Sequence, residues 1–94
     1  MEHELSNCEK MVMSVLTRAD GDPDLMTVTA RLKSDFDKDW KIQTVATFMT
    51  RLQKKEYIEI YKVGRYSHYH SLYTRDELVE HELNEIRRIY RAWN

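Results

Sequence analysis

Cysteine, proline and glycine are nearly missing from this 94-residue sequence, and each scarcity excludes something. A single cysteine, Cys8, rules out an intramolecular disulfide and a four-thiolate zinc site, and suits a reducing compartment. One proline (Pro23) and two glycines (Gly21 and Gly64) leave few places to break the chain, so helices joined by short loops are expected, with turns at those three positions. No apolar run approaches the roughly 20 residues of a membrane-spanning helix. The first residues are polar and acidic, unlike a secretory signal, so a cytoplasmic protein with no membrane partner is expected. A glycine-rich phosphate loop, a metalloprotease helix motif and a nucleophile elbow are also lacking. Neither catalysis nor a cofactor is expected.

Charge is present but unevenly placed. The formal net charge is −1, which taken alone argues against nucleic acid. Residues 38–66, however, carry seven basic side chains (Lys38, Lys41, Arg51, Lys54, Lys55, Lys62, Arg65) against three acidic ones, Asp39, Glu56 and Glu59. Residues 1–37 have the opposite bias, four basic against eight acidic. DNA binding follows the local field rather than the total, so the basic block is a candidate electrostatic footprint. An ordinary solvated surface is the alternative.

Periodicity predicts three helices first. Ser6 and Glu9 have the spacing of a capping box, and Cys8, Met11, Val12, Val15 and Ala19 then fall on one apolar stripe, with Leu16 beside them. The run Asp20-Gly21-Asp22-Pro23-Asp24 reads as a loop. A second helix is expected from about Thr27, taken as its N-cap, to Phe36, with Val28, Leu32 and Phe36 on a shared face and residues 34–39 as a turn. The third, over residues 42–55, turns Val45, Phe48, Met49 and Leu52 inward. Its other side carries Lys41, Gln43, Thr44, Ala46, Thr47, Thr50 and Arg51, with no carboxylate between Lys41 and Lys55. Solvated helix faces usually mix Glu with Lys, and Thr is a poor helix former, so helix stability alone does not account for this face.

Two strands and a helix follow. Ile58 and Ile60 alternate with Glu59 and Tyr61, a second alternating run covers residues 67–73, and Lys62-Val63-Gly64-Arg65 between them forms a basic hairpin tip. Thr74 and Glu77 repeat the capping-box spacing. Val79, Leu83, Ile86, Tyr90 and Trp93 then step as an a/d heptad seam, widened by Leu78 and Ile89, that either packs back on the domain or pairs with a second copy. The expected fold is therefore mainly α with a small antiparallel β-hairpin: a winged helix-turn-helix over residues 1–73 and a C-terminal dimerisation helix over 74–94. In such a fold a helix enters the major groove while the hairpin lies on adjacent phosphates.

The run from Asp39 to Lys55, DWKIQTVATFMTRLQKK, resembles the recognition-helix signature of the penicillinase repressor family (BlaI, MecI and CopY). It has a Trp before the helix, Thr residues three apart and an Arg-Leu-x-Lys-Lys ending, and the likeness continues through Tyr57-Ile58, Lys62-x-Gly64-Arg65 and a Tyr-rich second strand. The resemblance covers about residues 5–73. It implies a homodimeric transcriptional repressor bound to a pseudo-palindromic double-stranded DNA operator. By position it places Lys41, Gln43, Thr44, Thr47 and Arg51 at the DNA, with Lys62 and Arg65 as wing contacts and Lys54 and Lys55 nearer phosphate. Gln43 can pair with adenine, and a Thr methyl can pack on the thymine methyl. The sequence departs from the family pattern where Pro is common near Ile42, a basic residue near Ala46, and Gly at Glu56. Of the family's several-helix C-terminal region only residues 74–94 are matched in this sequence, which is expected of either a short member or a fragment. Its proteolytic switch is not carried over, nor are the paired cysteines of the copper-sensing members.

Rival readings rest on less. His68 and His70 share a strand face and would need Cys8 or His81 to approach a metal site; polar-sheet histidines are the simpler reading, and no metal is expected. A winged helix that binds protein instead of DNA is the main alternative, and an acidic or mixed third helix would mark it. Duplex RNA is disfavoured because its deep, narrow major groove excludes a helix.

Overall fold

The computed structural model describes residues 3–91. Its elements run α1 (Asn7–Arg18), α2 (Leu25–Phe36), α3 (Ile42–Lys54), β1 (Ile58–Val63), β2 (Tyr66–Ser71) and α4 (Arg75–Arg91). Three helices followed by an antiparallel hairpin and a further helix make a winged helix, as the patterning predicts.

The predicted capping box starts α1. The Glu9 N–H donates to Ser6 Oγ at 3.2 Å, and the Ser6 N–H donates to Glu9 Oε1 at 2.8 Å. For α2 the expected cap is displaced by one turn. Asp24, not Thr27, is the N-cap, and it accepts from the Thr27 N–H at 2.9 Å. Asp is as good an N-cap as Thr, and Pro23 just before it holds the entering chain extended. The helix continues to Phe36 and stops at Asp37, whose φ of 54° is left-handed.

α3 stops in the same way. The Tyr57 N–H donates to the Leu52 carbonyl and the Glu56 N–H to the Gln53 carbonyl, each at 3.0 Å, which is the Schellman arrangement. Its left-handed residue is Glu56, at φ 65°. The family pattern puts glycine there, and glycine alone takes this conformation without a steric cost.

The core joins Val12, Met13, Val15 and Leu16 of α1, Val28 and Leu32 of α2, and Val45, Met49 and Leu52 of α3 with Tyr57, Ile58 and Tyr69. Phe36 and Phe48 are half-buried at its edge, and Phe48 packs on the Trp40 ring at 5.1 Å. In the hairpin Ile58 pairs with Ser71, Ile60 with Tyr69 and Val63 with Tyr66, closing on the two-residue turn Gly64-Arg65. Gly64 has φ 63° at the first turn position, where a type II′ hairpin favours glycine. β2 ends at Ser71, two residues short of the predicted run, because Ser71 Oγ bonds to the Tyr73 carbonyl at 2.6 Å and turns the chain.

The Thr74–Glu77 capping box forms as predicted. Beyond it α4 buries no residue completely: Leu78 is half-buried against the core, and Lys10 pairs with Glu82 at 2.9 Å. An open groove of about 750 Å³ runs between α1 and α4, lined by Met13, Leu78, Leu83 and Ile86 among others. No helix of the described residues is long and apolar enough to cross a membrane.

Candidate nucleic-acid interface

The inward side of α3 is set by Val45, Met49 and Leu52, all buried, so the helical period turns Gln43, Thr44, Thr47, Thr50, Arg51 and Lys54 outward together. Gln43, Thr44, Thr47 and Arg51 are exposed, as is Lys41 at the N-cap. These five predicted residues therefore lie along one open side of one helix. Ala46 is half-buried at the margin.

Local chemistry shapes what this side offers. Thr47 Oγ1 donates to the Gln43 carbonyl at 3.0 Å, and Thr50 Oγ1 donates to the Ala46 carbonyl at 3.2 Å. Their hydroxyl protons are thus spent inside the helix, leaving a methyl group and acceptor lone pairs outward. Lys41 makes no side-chain capping bond, and the first turn of α3 holds no acid. No acidic side chain in that turn offsets the positive end of the helix dipole. The Arg51 guanidinium sits over the Phe48 ring, 6.0 Å from its centroid, which biases its direction without neutralising it.

The wing supplies the other predicted contacts. Lys62 is the second-last residue of β1 and Arg65 lies in the turn, both exposed. By strand alternation Lys62 shares the face of Ile58 and Ile60 but lies beyond the core. Among the described residues, Lys41, Arg51, Lys54, Lys62 and Arg65 form no ion pair, whereas Lys10, Arg18, Lys33 and Lys55 all do. Arg31, Lys38 and Arg91 are also without an ion pair among these residues, but the uncommitted cations gather most densely on α3, its N-cap and the wing.

The sequence matches the penicillinase repressor family over residues 5–91. The chain belongs to the penicillinase repressor family. The match runs through α4, further than the likeness legible in residues 5–73. No curated protein matches the chain. The family is one of transcriptional repressors.

Lys55, expected nearer phosphate than base if it touches DNA at all, is held within the chain. Its Nζ donates to Glu9 Oε1 at 2.8 Å and to the Glu4 carbonyl at 2.9 Å, which commits it to the protein. His68 and His70 donate through Nδ1 to Asp22, to its backbone carbonyl at 2.7 Å and to its carboxylate at 2.9 Å respectively. No group of three His, Cys, Asp or Glu suited to a metal occurs among the described residues. Asp22 was not among the expected site residues. Its partners lie 39 to 48 positions away, and no local pattern announces them.

On α4, Val79, Leu83, Ile86 and Tyr90 are exposed large apolar residues, Tyr90 at 65%. Trp93, the last member of the expected seam, lies outside the described residues.

Proposed function

We propose that two copies of this chain pair through α4 and place their α3 helices in successive major grooves of a pseudo-palindromic operator, repressing transcription by occupying a promoter. Residues 1–73 act as the DNA-binding unit and residues 74–94 as the dimerisation element, in the cytoplasm. Lys41, Gln43, Thr44, Thr47 and Arg51 face the groove, and Lys62 and Arg65 hold adjacent phosphates. The observation that carries this reading is the acid-free, uncommitted side of α3 beside an uncommitted basic wing. Base edges are read from a helix of this kind, and half-sites for a two-fold dimer lie about one helical turn apart, or a simple variant of it.

The dimer reading is supported by the heptad seam and by its exposure. Val79, Leu83, Ile86 and Tyr90 form an apolar stripe that the described residues leave open, and its first three members line the groove facing α1. A second α4 is the natural cover.

The test is a fluorescence anisotropy titration with duplexes selected from the source genome. Affinity falls steeply between low and moderate salt, because each neutralised phosphate releases counterions. Salt-independent binding, or none at low salt, contradicts the proposal.

A further inference from the structure

Asp22 collects bonds from the outer face of the wing. Tyr61 Oη donates to Asp22 Oδ2 at 2.7 Å, and His70 Nδ1 bonds to Oδ1 at 2.9 Å. His68 Nδ1 lies 2.7 Å from the Asp22 carbonyl, and since a carbonyl only accepts, that nitrogen carries the proton. Tyr61 and His68 are cross-strand partners and their rings stack, 5.8 Å apart and 21° from parallel. The backbone adds to this: the Tyr69 N–H donates to the Pro23 carbonyl at 3.1 Å, and Asp24 bridges to His68. The α1–α2 loop therefore runs along the free edge of β2 and places Asp22 on the hairpin's outer face.

A two-stranded hairpin is marginally stable alone and is free to pivot when only one face is held. Here the inner face is held by Ile58, Ile60 and Tyr69 against the helices. Asp22 grips the opposite face at Tyr61, one residue before Lys62. The Tyr61 and His70 bonds hold its carboxyl below the ordinary range against partial burial, so at neutral pH it is an ionised acceptor with both oxygens in use.

We propose that Asp22 is a positioning residue for the wing, fixing the hairpin so that Lys62 and Arg65 meet phosphate beside α3. This rests on the DNA-binding reading above. Asn at this position replaces an ionised acceptor with a neutral amide, whose N–H the Tyr61 hydroxyl or the other His70 tautomer can accept, so the contacts persist in weaker, uncharged form. Ala retains none.

The test compares the full-length wild-type chain, D22N, D22A, the double variant K62A/R65A and the triple combination. Two quantities are measured: backbone ¹⁵N order parameters at residues 62–66, and affinity for one duplex selected from a random pool by the wild-type chain. In D22A the tip falls from rigid values near 0.85 to flexible ones under about 0.6 while α1–α3 stay rigid, with D22N between. Affinity falls about fivefold to tenfold, and the salt dependence flattens toward that of K62A/R65A. Adding D22A to K62A/R65A then costs nothing further, a non-additivity that general destabilisation does not produce. A tip as rigid in D22A and D22N as in wild type overturns the proposal, as does a D22A penalty that adds in full to K62A/R65A. Should the wild-type chain ignore DNA altogether, the functional reading falls, while the order parameters still decide whether Asp22 holds the wing.

Discussion

Lys55 donates to Glu9 across 2.8 Å, fastening the end of α3 to the first turn of α1 over 46 positions of sequence. Glu9 is 2% exposed and is the buried charged residue of the core. Two opposed effects act on its carboxyl. Burial, the larger single effect, raises its pKa. Together the Lys55 hydrogen bond and charge and the two Ser6 bonds outweigh it and hold the group below its ordinary 4.5.

Removing the cation leaves a buried carboxylate with only the Ser6 cap. Lys55→Met is therefore expected to cost about 3 kcal/mol in urea unfolding at pH 7, the lower end for breaking a buried pair because the lysine is partly solvated. A loss under about 0.5 kcal/mol places this pair with surface ion pairs instead.

The same pair sets an acid limit. Glu9 has a lower pKa folded than unfolded, so its contribution is complete above the unfolded value near 4.5 and is lost as pH falls through the lower folded value. Wild type loses this part of its stability in that window. In Lys55→Met burial is opposed by Ser6 alone, so the acid-side loss shrinks. Parallel pH–stability curves for the two proteins contradict the assignment.

Glu56 holds a left-handed backbone that suits glycine. Glu56→Gly relieves that cost but frees the unfolded chain, for a net gain of about 0.5–1 kcal/mol. In a chain of this size that raises Tm by roughly 2–8 °C, measured by calorimetry. DNA affinity is unchanged, since the helix-ending turn lies away from the exposed face. A lower Tm sinks this account of the α3 terminus.

Ile86 is 49% exposed on the α4 stripe. Ile86→Asp puts a charge in the proposed dimer seam and is expected to give monomers by sedimentation, with the domain still folded because little of Ile86 packs on the core. A dimer that survives the change lies on another surface.

Much of this was legible from spacing alone. Both capping boxes, the hairpin with its glycine turn and most of the inward stripes follow from residue type at fixed local offsets, although Met13 is buried outside the expected α1 stripe while Cys8, Met11, Ala19 and Phe48 are only half-buried. The cap of α2 was misplaced by a turn because Asp24 and Thr27 both qualify by type, and which one caps depends on how Pro23 feeds the helix. Lys55 reads in sequence as a free cation nearer phosphate than base because its charge is visible there while its partner, 46 positions away, is not. Asp22 stood in a loop of acids that read as solvated, and only the folded hairpin brings Tyr61, His68 and His70 to it. Long-range polar pairing leaves no periodic trace.

Side-chain deletions on α3 and the wing should differ in kind. Gln43→Ala and Arg51→Ala each cost about 1–3 kcal/mol on the preferred duplex and relax sequence preference, while Lys62→Ala weakens every duplex alike. Folding stability stays within about 0.5 kcal/mol, since all three are exposed. A Gln43→Ala protein that ranks duplexes as wild type does removes Gln43 from base contact.

Chemical-shift mapping of the ¹⁵N-labelled chain against a selected duplex reaches the main claim most directly. The amides of residues 41–51 and 62–66 are expected to move most, with the outer side of α4 shifting little. Shifts concentrated on α1 or α4, with α3 untouched, contradict the account.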